Sequence, residues 1–342
     1  MAQLPAEFGI TGFGYAFGVD QNVAEVAGQY VPDPERIVRW GYHTFHRAPD
    51  DVTATDLAAR AAQDALARTG VAADDVDLLV LATSEHPEYP HWDGSAALGR
   101  ALKMENRQTL LLNEGCASGV TGLGIVAGLL AVQPEINTVL FVAVNRVSEF
   151  HRNRMTVNNA VHSDGAVAAV LRRGHERNTW LATEQFTVTD LCDWFRTDYG
   201  GAVTPLPPEG WSSKTAPAGH IQVQEHFQRD PKRLREFGQQ AVTRVFDALD
   251  GACKRAGVSR DDVTHLIYIN DPDGITDLAQ PLGIPLERTS YDIAKAHGHM
   301  GSADQLTALG RLIEQGTVAP GDLVALTGIS IGMRWYCSLV RA

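Results

Sequence analysis

Cys116 is the residue whose setting most suggests chemistry. It stands in Gly115-Cys116-Ala117-Ser118-Gly119, after a short apolar run ending Leu110-Leu111-Leu112 and before Val120 to Val132, a stretch with no charged residue and no proline. That layout predicts a strand, a tight turn and a buried helix carrying a thiol at its N-terminus. There the positive end of the helix dipole and the unpaired backbone N–H groups both favour thiolate, so the cysteine suits nucleophilic attack. The structural alternative is a small hydrophobe packed under glycine-permitted contacts. Cys192, Cys253 and Cys337 lack a comparable setting and read as packed thiols. A second reactive segment is Lys295-Ala296-His297-Gly298-His299-Met300-Gly301-Ser302, where either imidazole could act as a base. A third is Asn270-Asp271-Pro272-Asp273, a strand-end turn whose asparagine could equally be a plain cap. His86 and His91 look metal-like by count, but Pro87 and Pro90 make their segment a loop, and no metal is expected.

An internal duplication would bring these segments together. The stretch Gly70-Val71-Ala72-Ala73-Asp74-Asp75-Val76, leading into Leu78 to Thr83, has a near twin in Gly257-Val258-Ser259-Arg260-Asp261-Asp262-Val263, leading into Leu266 to Asn270. Each copy follows a helical pattern, Thr53 to Arg68 in the first and Gln239 to Ala256 in the second. Each ends in a continuous apolar run of the kind a strand buried on both faces shows. The next elements correspond too: Leu110 to Val132 then Thr138 to Asn145, and Ser290 to Gln315 then Asp322 to Gly328, each read as strand, turn, buried helix, strand. Matching Thr138 with Asp322 sets Cys116 against Met300, beside His299. Two copies packed about a pseudo-twofold would then place the cysteine turn and the histidine turn at one site.

The bulk numbers narrow the class. At 342 residues, with 44% hydrophobic and 20% charged residues, the chain has the composition of a globular protein with ample core. A net charge of −12 argues against a nucleic-acid surface. Four cysteines without paired spacing point to a reducing compartment, and the N-terminal segment lacks the basic start of a signal peptide. Val120 to Val132 reads as a helix buried on all sides, too short to span a bilayer, and a soluble, cytoplasmic protein is expected.

Three segments carry a family resemblance. The Gly115-Cys116-Ala117-Ser118-Gly119 turn, the run His162-Ser163-Asp164-Gly165-Ala166-Val167-Ala168-Ala169-Val170, and the C-terminal Gly328-Ile329-Ser330-Ile331-Gly332-Met333-Arg334-Trp335 resemble the thiolase superfamily and, within it, the β-ketoacyl-ACP synthase III branch. The resemblance covers nearly the whole chain. It implies an α/β fold of duplicated α-β-α-β-α halves in five layers, a homodimer, and acyl transfer through the cysteine. It also implies an acyl carrier protein or coenzyme A thioester as donor, no other cofactor, and an oxyanion hole made by the backbone N–H groups of Cys116 and Ile331. The division expected is 1–175 for the half carrying the nucleophile, 176–238 for a linker and lid, and 239–342 for the second half.

The departures from the family pattern direct the functional expectation. The family usually has a catalytic histidine just after the strand Leu266 to Ile269, where this chain has Asn270. Its catalytic asparagine lies in a Gly-Asn-Thr turn, where this chain has Gly298-His299-Met300, and Ile331 replaces a loop glycine. Histidine and asparagine thus look exchanged. Decarboxylating members aim both side chains as donors at one thioester oxygen, whereas an imidazole at position 299 suits deprotonation of an acceptor. The expectation is therefore an acyltransferase of natural-product biosynthesis acting on a hydroxyl or amine. Catalysis would rest on Cys116, His299 and Asn270, with Asn270 orienting His299 or the thioester carbonyl, and His297 and Asp271 as further candidates. A carbon–carbon condensing synthase is the alternative, and a catalytically silent subunit a third reading. Arg36, Arg39, Trp40, Arg152 and Arg154 are candidates for carrier phosphate. Trp194, Phe195 and Tyr199, with Trp211 in the Gly- and Pro-rich loop Gly200 to Gly219, are candidates for a pocket wall.

Overall fold

The computed structural model describes residues 7–342 apart from Asn158, Asn159 and Phe195. In chain order the strands are β1 Phe8–Phe17, β2 Val19–Asn22, β3 Thr44–Arg47, β4 Leu78–Thr83, β5 Gln108–Leu112, β6 Thr138–Asn145, β7 Gly165–Arg173, β8 Thr179–Thr187, β9 His265–Ile267, β10 Leu323–Ser330 and β11 Arg334–Arg341. The helices are α1 Val23–Val26, α2 Pro34–Val38, α3 Ala54–Thr69, α4 Gly94–Ala101, α5 Ser118–Val132, α6 Gly219–His226, α7 Pro231–Ala256, α8 Pro272–Leu282, α9 Tyr291–His297 and α10 Asp304–Glu314.

The duplication is visible in local conformation first. α3 and α7 both end on a left-handed glycine, Gly70 and Gly257, and each is followed by a short 3-10 turn and a buried parallel strand. Side-chain caps start both helices: Thr53 and Asp56 form a capping box, and Asp230 accepts from the Lys232 and Arg233 amides. Nine strands then form one sheet in the order β5-β4-β6-β7-β1-β8-β11-β10-β9. β5-β4-β6-β7-β1 is mirrored by β9-β10-β11-β8, and the two runs meet where Gly9 of β1 pairs with Thr179 of β8. The partner expected for β5 in the second half is reduced to an isolated bridge between Leu266 and Thr289. The segment Ser290 to Gln315 therefore differs from the expected strand, turn and helix. Helix α9 and a 3-10 turn at Gly301–Ala303 precede α10.

Side-chain alternation sorts the core into layers. In β6, Val139, Phe141 and Ala143 face a central cluster shared with α5 and α10, while Leu140, Val142 and Val144 face α3. In β10, Val324 and Leu326 enter the central cluster, and Leu323 and Ala325 face α7. Three apolar clusters thus separate helix, sheet, central helices, sheet and helix, the five-layer α/β arrangement. The span Gly115–Val132 is, by length and composition, long and apolar enough to cross a membrane, contrary to the expectation from sequence, but 61% of it is buried, as in a core helix. At its start the two halves touch closely. A Cβ added at Gly119 would lie 1.9 Å from the Ser302 carbonyl oxygen, so only glycine lets α5 approach the turn ahead of α10.

The segment 176–238 contains β8, inside the sheet, helix α6 and the first turns of α7.

Candidate active site

Cys116 lies two residues before α5, in a turn closed by the Ser118 amide donating to the Gly115 carbonyl at 3.2 Å. Its sulfur is 3.3 Å from His299 Nε2. The imidazole is held on its far side by Asp304, whose Oδ2 lies 2.5 Å from Nδ1. Asp304 opens α10 and is completely buried. The same Oδ2 accepts the Asn270 amide N–H at 2.8 Å, and Oδ1 accepts the Met300 N–H at 2.6 Å. A cysteine, a histidine and an aspartate from both halves therefore form a linear array. Burial disfavours a charged imidazole, but the Asp304 carboxylate and the facing cysteine outweigh it and hold His299 well above the usual histidine range. Sequence reasoning missed Asp304. Its spacing, five residues after His299 at a helix start, is also the ordinary place for an acid that complements a helix dipole.

Asn270 lines the cavity and also braces the turn carrying His299: its Nδ2 gives one of its two hydrogens to the Gly298 carbonyl at 2.6 Å. The Asn270 Oδ1 is buried without a partner. His297 lies away from the cysteine: its Nδ1 is 2.8 Å from His46 Nε2, and Phe17 packs against its ring. Burial, His46 and Arg311 push its pKa down to about 4. His299, two residues on, faces the thiol, and Gly298 between them has φ 67°, a conformation that favours glycine.

A cavity of about 380 Å³ opens over the thiol, lined by Cys116, His162, His299, Asn270, Asp271 and Ile331 among others. The Ile331 loop is fastened to the cysteine turn: Ser330 Oγ donates to the Glu114 carbonyl at 2.8 Å and accepts the Ala117 N–H at 3.2 Å. His162 is a cavity residue whose role the sequence did not indicate. Its ring sits 5.1 Å from that of His299, edge to face, and its strand partner is His299 itself. Burial, then the His299 charge, keeps His162 neutral well below the usual range.

The candidates for carrier and pocket residues divide. Arg152 lines this cavity and a second, adjoining one of about 420 Å³, with its guanidinium 3.2 Å from the buried Glu85. Trp194 lines both cavities, and Trp211 and Tyr199 line the second. Phe195 lies outside the described residues. Arg154 is not available to phosphate: it is buried, makes two bonds to Asp164 at 3.0 and 2.8 Å, and gives a third to Glu149. The basic run in sequence concealed this: Arg152 borders the cavities while Arg154, two residues on in the same turn, is buried on Asp164. Trp40 is likewise packed in a small apolar cluster with Ile37 and Phe45, away from both cavities, and Arg36 lies over its ring at 5.4 Å. His86 stacks on His151 with ring centroids 4.2 Å apart.

Residues 112–188 match the family described as 3-oxoacyl-[acyl-carrier-protein] synthase III, and residues 253–342 match its C-terminal part. The β-ketoacyl-[acyl-carrier-protein] synthase III of Synechocystis sp. is 25% identical over 94% of this chain and 91% of its own length. Among solved structures, the acyltransferase ChlB3 superposes with a TM-score of 0.83 at 23% identity, covering 98% of each chain. The synthase III of Pseudomonas aeruginosa superposes with a TM-score of 0.78 at 24% identity, again covering 98% of each. The chain is thus similar along nearly its whole length to β-ketoacyl-ACP synthases III, and its mirrored nine-stranded sheet is the fold of the solved synthase III structures.

Proposed function

We propose that the protein transfers a preformed acyl group from an acyl carrier protein or coenzyme A thioester, through an acyl-Cys116 intermediate, to a hydroxyl or amine acceptor. The observation that carries this reading is His299 set between the Cys116 sulfur and the Asp304 carboxylate, the arrangement of a general base. In the first half-reaction the thiol proton passes to His299 Nε2 and sulfur attacks the thioester carbonyl carbon. The donor thiolate leaves and takes that proton. In the second, the acceptor's lone pair attacks the acyl carbon, its proton passes to Nε2, and the bond to Cys116 breaks. Asp304 keeps Nδ1 protonated and stabilises the imidazolium formed in each half. The N–H groups of Cys116 and Ile331 hold the tetrahedral oxyanion, each such donor being worth roughly 3 kcal/mol. The donor arm would enter past Arg152 and Trp194, which border both cavities. A homodimer would use the edge of β5, which among the described residues pairs only with β4 and leaves Leu111 exposed; native mass tests that.

The condensing alternative draws on the names of the relatives. It needs two side-chain donors at the thioester oxygen, and one of the two Asn270 amide hydrogens is taken by the Gly298 carbonyl. Intact mass after incubation with acyl thioesters separates the readings. A Cys116 adduct absent in Cys116→Ala is expected, followed by its discharge to an acceptor. Carbon dioxide release from malonyl thioester with a lengthened acyl product would overturn acyl transfer, and absence of an adduct with any thioester would overturn both enzyme readings.

A further inference from the structure

We propose that the acyl acceptor is an amino alcohol, bound through its ammonium by Asp271 and the Asn270 side-chain oxygen and acylated on its hydroxyl; the inference rests on the acyl-transfer reading above. The wall of the cavity over Cys116 carries three carboxylates, Asp271, Asp273 and Asp277, from the start of α8. Among the described residues no ion pair joins any of the three to a basic side chain. Arg152, the cation on the same cavity, is paired with Glu85. Beside the carboxylates is an independent sign of a missing donor. Asn270 is fully buried, its Nδ2 is committed to Gly298, and its Oδ1 has no partner.

These groups are all acceptors of hydrogen bonds. A buried carbonyl oxygen left unpaired carries a desolvation penalty, and the mostly buried Asp271 carboxylate carries a larger one, while the exposed Asp273 and Asp277 keep their water and add negative charge. An ammonium, with three donors and a positive charge, answers both at once, whereas a neutral hydroxyl offers one donor. Burial raises the Asp271 pKa despite the Gly274 amide, with Asp273 and Asp277 adding to it and His299 opposing, to about 6. Asp271 is thus ionised at neutral pH and poorly compensated. A nitrogen kept protonated by this site has no lone pair with which to attack. The nucleophile is therefore a hydroxyl of the same molecule, which loses its proton to His299 as it attacks acyl-Cys116.

Protection of Cys116 from iodoacetamide reads acceptor binding without acyl transfer. trans-4-Aminocyclohexanol is compared with cyclohexane-1,4-diol, following Cys116 alkylation by intact mass. The amine should protect at concentrations roughly tenfold or more below the diol, the size expected for a hydrogen bond to a charged partner. Asp271→Asn should remove the difference and Asp271→Glu should retain much of it. Should Asp271→Asn not fold, the wild-type ratio of amine to diol protection at pH 5 and pH 7.5 replaces it. Protonation of Asp271, which faces Asp273, Asp277 and His299, should shrink the ratio at pH 5. Equal protection by amine and diol, no protection by the amine, or a preference unchanged by these perturbations would overturn the proposal. Failure of acyl transfer itself is read separately, as absence of the Cys116 acyl adduct.

Discussion

Replacing Asp304 by asparagine tests whether the imidazole is driven by its carboxylate. Asp304 accepts three N–H groups, from His299 and Asn270 on one oxygen and from Met300 on the other. An asparagine has one oxygen and one NH2. Turned one way, it keeps His299 and Asn270 and sets its NH2 against the Met300 N–H. Turned the other way, it keeps Met300 and faces two donors with its NH2, which forces the imidazole to carry its proton on Nε2, toward the sulfur. Both orientations leave a donor against a donor in a site without water access, costing about 1–3 kcal/mol of stability. The second also removes the lone pair that takes the acceptor's proton. A comparable carboxylate-to-amide change in a serine triad costs about 10⁴ in turnover. Transfer from acyl-Cys116 should therefore fall by about 10³–10⁴, or about 4–5.5 kcal/mol of barrier. Single-turnover discharge of the acyl-enzyme, followed by intact mass on protein shown folded by its unfolding curve, is the assay. Discharge within fivefold of wild type would refute the reasoning and make Asp304 a brace only. Linkage gives a second readout. The folded-state pKa of His299 is raised above its unfolded value near 6.5, so the pair's contribution to stability is complete below that pH and is lost as pH rises through the raised value. The Asp304→Asn protein should lack that alkaline decline.

Asp271→Asn should stabilise the protein at pH 8 by as much as about 3 kcal/mol, the equivalent of raising a carboxyl pKa from 3.8 to about 6. The sign follows because a raised acid penalises the folded state above pH 6 and not below pH 3.8, so urea midpoints of the two proteins should converge near pH 4. Arg154→Ala should lose about 3–5 kcal/mol by stranding buried Asp164, with no selective rise in donor KM; a selective rise at unchanged stability would restore the carrier-binding role. Gly119→Ala should cost at least about 1–3 kcal/mol, because its methyl meets the Ser302 carbonyl. It should also slow transfer by spreading the cysteine and histidine turns, and a wild-type unfolding midpoint would contradict the close packing.

Much of the architecture is carried by local pattern, and local pattern survives in sequence. The helix, glycine, acidic turn and apolar strand of each half repeat as a string of residue types, because caps, left-handed glycines and doubly buried strands each demand particular side chains. The pairing of Cys116 with His299 followed from that repeat, since equivalent turns of two copies meet at their pseudo-twofold. The strand expected at Ser290 was not legible, because the second half spends those residues on α9 and keeps a single bridge at Thr289.

The sequence by itself determined the duplicated α/β halves and the turns that hold the thiol and the imidazole, since periodicity and turn chemistry act over a few residues. Only the tertiary structure decided what surrounds them. Asp304 looked like any acid at a helix start until the fold aimed it at His299, and Arg154 looked like a surface charge until the fold buried it on Asp164. The direction of the Asn270 amide depended on the Gly298 carbonyl, 28 positions along the chain. Hydrogen-bond partners and burial belong to distant segments brought within 3 Å of one another, and no local pattern encodes which atoms will meet.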